Sequence, residues 1–148
     1  MTGKADFSEG EWTQVLEGPP SAGMLVMAAQ RGGTLRESFA MAKAYAEARK
    51  QHGQSELIDE IASAKPKMDH TRYHSPAELS AACLGHLGAA VGVVEGKATS
   101  AEVADYKRFV VAVAEKVAGA HREGGQAVSP AERDAIDQIT QALGQHAT

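Results

Sequence analysis

The chain contains a single cysteine, Cys83, which leaves no partner for an internal disulfide and no set of thiolates for a multi-cysteine zinc site. A reducing, cytoplasmic setting is the expectation. Aromatic side chains make up only 5% of the sequence, so alanine-lined helices must approach one another closely to fill the interior. Neither sign of charge dominates. The formal net charge is −4 and the lysines and arginines are scattered, which leaves no basic face to neutralise phosphates and predicts no nucleic-acid partner. Long hydrophobic runs are missing too. The most apolar stretch, residues 81–94, is shorter than the ~20 residues a membrane span needs, and His86 and three glycines interrupt it. It predicts a buried central helix and no membrane span. Residues 1–6 lack the apolar run of a signal peptide. Motif chemistry is equally sparse, with no Gly-rich phosphate loop, His-Glu-x-x-His, serine elbow or paired-carboxylate frame.

What is present is the material of an all-α fold. With 148 residues, 43% of them hydrophobic, one helical domain over residues 1–148 is expected, frayed at 1–6 and 145–148. The clearest signals are helix starts, where orphan N–H groups need side-chain acceptors. Ser8 and Glu11 have the spacing of a capping box, with Phe7 and Trp12 placed as a hydrophobic staple around it. Similar starts recur at Thr34, Ser75, Thr99 and Ser129, and Ser55 opens a shorter helix. Gly18-Pro19-Pro20, Gly32-Gly33, Gly53, Pro66, Gly96 and Gly124-Gly125 read as stops. The result is a bundle of about seven helices: 8–17, a buried 20–30, 34–52, 55–65, 76–95, 100–122 and 130–143. In the third, Leu35, Phe39, Ala42 and Ala46 form the expected inward stripe, with Tyr45 at its edge.

Candidate chemistry is confined to a few groups. Asp69, His70 and His74 form the densest cluster of potential ligands for a divalent metal, set against the plainer reading of a solvated loop. Cys83 and His86, three apart, share a helix face and suggest a thiolate–imidazole pair; packing in an apolar core is the competing reading. Met24 and Met27, with Met41, Phe39 and Trp12, suggest either an adaptable ligand surface or core. Gly85, Gly88, Ala89 and Gly92 form a small-residue stripe, expected to receive a bulky partner helix, with a ligand cleft or a dimer seam as alternatives. Glu56, Asp59 and Glu60, like Asp134 and Asp137, are expected to line solvated helix faces.

The alanine-rich run from Val110 to Arg122, the turn Glu123-Gly124-Gly125, and the capped segment Ser129-Pro130-Ala131-Glu132-Arg133 leading to Ile136, Ile139 and Leu143-Gly144 together resemble the TerB (tellurite-resistance) family. A related group of small all-helical bacterial proteins, with an N-terminal Phe-x-x-x-x-Trp, is also similar. The resemblance implies an all-helical bundle, a stress association and acidic metal sites, for which Glu123 and Glu132 are the matching positions. The turn His121-Arg122-Glu123-Gly124 departs from the aspartate-glycine of that family. The functional expectation is a non-enzymatic module acting through a protein partner or self-association. Metal binding, or a small-ligand pocket or thiol chemistry at Cys83 and His86, stand as alternatives.

Overall fold

A computed structural model describes residues 4–28, 34–50, 56–63, 76–123 and 130–143. These form a short 3-10 turn at Lys4–Asp6 and six α-helices: α1 (Glu9–Ala28), α2 (Thr34–Lys50), α3 (Glu56–Ser63), α4 (Pro76–Lys97), α5 (Ser100–Glu123) and α6 (Pro130–Ala142). Among the described residues there is no strand. α1 lies along α4 and α5, and α2 lies along α5; α3 packs on α2 and α5, and α6 touches α1, α4 and α5. The buried side chains form one hydrophobic cluster to which all six helices contribute.

Two helix starts have the box geometry expected of them. The Ser8 N–H donates to Glu11 Oε1 at 2.8 Å and the Glu11 N–H donates to Ser8 Oγ at 3.2 Å. Phe7 and Trp12, both buried, close the staple with ring centroids 5.6 Å apart. At α5 the Thr99 N–H donates to Glu102 Oε1 at 3.0 Å, and the Glu102 N–H to Thr99 Oγ1 at 3.2 Å. The starts at Ser55, Ser75 and Ser129 lie outside the described residues, as does the side chain of Thr34.

The bundle has six described helices and not seven because α1 runs straight through Gly18-Pro19-Pro20. A proline inside a helix has no N–H for the carbonyl four residues earlier and costs about 3 kcal/mol. Pro19 thereby strips the Val15 carbonyl of its helical donor. That carbonyl is rescued from outside the helix: the buried Tyr106 hydroxyl of α5 donates to Val15 O at 2.7 Å. Beyond the prolines, Ser21 through Val26 are all buried, and full burial of a Leu, Val or Met side chain contributes about 1.5–3 kcal/mol. Met24, Leu25 and Val26 together contribute roughly 4.5–9 kcal/mol, enough to match the roughly 6 kcal/mol that two prolines cost, and Ala22 and the Tyr106 hydrogen bond add to the favourable side.

Gly18 makes this contact possible. A Cβ there would fall on the Tyr106 hydroxyl, inside the 3.0 Å limit that real Cβ contacts respect, and 3.2 Å from Ala90 Cβ. Gly23, one turn on, receives the Met41 methyl in the same way. Met41, Ala44 and Tyr45 are buried and Ala48 packs on the core, whereas Ala42 is exposed and Ala46 half-buried. The inward stripe of α2 is therefore centred on Met41 and Tyr45, because Tyr45 stacks edge-on against Phe109 of α5, centroids 5.1 Å apart. The Arg49 guanidinium caps the end of α3, donating to Ala62 O at 2.8 Å.

Helix α4 is longer than the apolar run inside it. Over Ala77–Lys97 it is, among the described residues, the one helix long and apolar enough to cross a membrane by length and composition, with 33% of that stretch buried. A helix buried all round would not leave so much of itself uncovered. Its burial is one-sided.

Candidate functional site

At 100° per residue, α4 divides cleanly into two faces. Leu79, Cys83, Leu87, Ala90 and Val94 are buried on the inner face, which lies against α1. Ala81, Gly85, Gly88, Ala89 and Gly92 are exposed on the outer one. No Asp, Glu, Lys or Arg occurs between Glu78 and Glu95. Among the described residues, a Cβ added at Gly85, Gly88 or Gly92 meets nothing within 4 Å. Contrary to the expectation of a bulky partner helix, no described helix of the chain covers these glycines. The glycines that admit a neighbour are Gly18 and Gly23 in α1. The reason is energetic: burying the leucine and valine side of α4 removes far more apolar area from water than burying its glycine side.

Cys83 and His86 do not meet as a pair. The thiol is buried, and burial pushes it up to about 11, with the neighbouring Ser21 hydroxyl pulling the other way by hydrogen bonding to the thiolate. His86 is turned toward α1, where its Nδ1 stands 3.2 Å from Glu17 Oε2 with both side chains partly exposed. A buried thiol with a raised pKa is a poor nucleophile. An unfolded chain ionises the thiol near its ordinary 9.0 and the folded chain only near 11. The associated stability is therefore complete below pH 9 and is lost as pH rises through 11. Tyr45 and Tyr106, both pushed upward by burial, act in the same direction at higher pH. Urea titrations at pH 8, 9, 10 and 11 are expected to show stability falling across that window, with a shallower fall in Cys83→Ala. Stability that holds steady to pH 11 would contradict the burial of these groups.

Met24, Met41 and Trp12 are core residues, and Met27 lies in α1 with its side chain outside the described set. Asp69, His70 and His74 lie outside the described residues, and Glu123 and Glu132 are placed in α5 and α6 by backbone only. Among the described residues, no group of three or more His, Cys, Asp and Glu side chains is arranged to hold a metal. Asp134 and Asp137 are exposed, and Asp59 and Glu60 half-buried.

Two features escaped sequence reasoning. Tyr106 reads as one more apolar stripe residue, yet its hydroxyl completes α1; the signal was the proline four residues after Val15, which implies an orphan carbonyl. Glu17, the partner of His86, carries no motif at all.

No family model matches the chain, and no curated protein and no solved structure matches it. Its class is therefore defined by its own geometry: an all-α bundle that, among the described residues, presents an uncharged outer face on α4.

Proposed function

We propose that the chain is a helical interaction module that acts by contact and not by catalysis, and that the outer face of α4 is taken up by a second copy of the chain. One observation carries this reading. Gly85, Gly88 and Gly92 sit inside a helix with open space around them, although each glycine there costs about 0.5–1 kcal/mol relative to alanine. No contact within the described chain offsets that cost. Small residues at three- and four-residue spacing let two helix backbones come close. The occupant that suits such a face is another flat, uncharged helix face, and this chain presents one. Two copies related by a twofold axis would bury it with no charged side chain at its centre.

Glycine and alanine bury little area, so the association is weak and concentration-dependent. The resemblance of residues 110–144 to TerB proteins supports placing such a module in bacterial stress physiology. Sedimentation velocity between roughly 10 µM and 1 mM, the range of weak complexes, is expected to show a growing dimer fraction. A monomer throughout overturns the self-association reading. A monomer that floats with uncharged lipid vesicles would assign the face to a bilayer instead.

A further inference from the structure

The prolines of α1 divide it into halves of different character. Gly18 through Val26 are buried without exception. The preceding turns are amphipathic, with Trp12 and Val15 buried, Glu9, Thr13 and Gln14 exposed, and Leu16 and Glu17 half-buried. At the joint, Pro19 and Pro20 remove the two backbone hydrogen bonds that would run to the Val15 and Leu16 carbonyls. The helical ladder that normally makes a helix open as one piece is therefore interrupted there.

The first half is instead tied down by side chains of α4 and α5. Lys97 reaches Glu11 Oε1 at 2.9 Å and donates to Asp6 O at 3.2 Å. His86 pairs with Glu17 at 3.2 Å. Tyr106 holds Val15 O at 2.7 Å. Three of these four ties are surface polar contacts of small individual strength. Nine helical residues alone are too few to remain helical in water. We infer that residues 4–17 form a strap, jointed at Pro19-Pro20, that lifts from α4 and α5 as a cooperative unit while the rest of the bundle stays folded. Its lifting uncovers the seats of Phe7, Trp12 and Val15.

Native-state hydrogen exchange on the full chain tests this directly. The amides of Trp12 through Gly18 are expected to share one opening reaction, at least tenfold more populated than that of Ala22 through Val26 and of α5. Lys97→Met removes two ties and should speed exchange in the strap about twofold to fivefold, leaving the amides of Ala22 through Val26 unchanged. Pro20→Ala restores one backbone bond and should slow the strap relative to the rest. Equal protection on both sides of the prolines, or a Lys97→Met effect spread evenly over the bundle, overturns the inference.

Discussion

Replacing Gly18 by alanine is expected to destabilise the fold by about 3 kcal/mol, the upper part of the range for overpacking a well-filled core. The added methyl would occupy the position of the Tyr106 hydroxyl. The ring must retreat, and the Val15 carbonyl, already without a helical donor because of Pro19, is left buried and unbonded. A lone unsatisfied carbonyl costs about 1–3 kcal/mol. Tyr106→Phe isolates that second contribution and is expected to cost about 1–2 kcal/mol without changing the fold. The double variant separates the two effects. With the hydroxyl gone, the alanine methyl loses its closest contact and keeps those to the Tyr106 ring carbon and Ala90 Cβ, each at 3.2 Å, so the combined loss falls short of the sum by about 1 kcal/mol. Chemical denaturation of the four proteins measures this coupling. Strict additivity would mean that Gly18 and Tyr106 act independently, against the contact described.

The opposite sign is expected on α4. Gly85→Ala, Gly88→Ala and Gly92→Ala together should raise monomer stability by about 2 kcal/mol, since each removes backbone freedom from the unfolded chain. The methyls enter open space. For a chain of this length the gain amounts to a rise in Tm of roughly 4–8 °C, read by thermal unfolding at low protein concentration. A loss of stability would show that another part of the chain packs on these glycines. Glycine is thus expected to be costly on one helix and indispensable on another, for a reason that lies wholly in what faces it.

That contrast marks how far the sequence was legible. The helix starts at Ser8 and Thr99 were readable because capping is local: donor and acceptor lie three residues apart, and the bonds follow from spacing alone. The apolar spacing of Tyr106, Val110, Val113 and Val117 likewise fixed the buried side of α5. The joint at Pro19-Pro20 reads as a stop in the sequence because its resolution is nonlocal: the donor that completes α1 comes from a residue 91 positions away. The α2 stripe shifted for a similar reason, since Tyr45 follows Phe109 of another helix and not the alanine spacing of its own. On α4 the glycines face outward because the leucines and valines on the opposite side claim the core. His86 and Cys83 share a helix yet point to different neighbours, Glu17 and Ser21, which spacing along one helix cannot reveal.

Gly88→Leu tests most directly whether the outer face of α4 is a contact surface. Gly88 is exposed and a Cβ added there meets nothing within 4 Å among the described residues, so the variant is expected to fold as the parent does. Sedimentation velocity on parent and variant, at matched concentrations up to roughly 1 mM, is the deciding measurement. Concentration-dependent dimer in the parent and monomer throughout in Gly88→Leu is the predicted result. Equal dimerisation of both would move the contact elsewhere on the bundle and contradict the account.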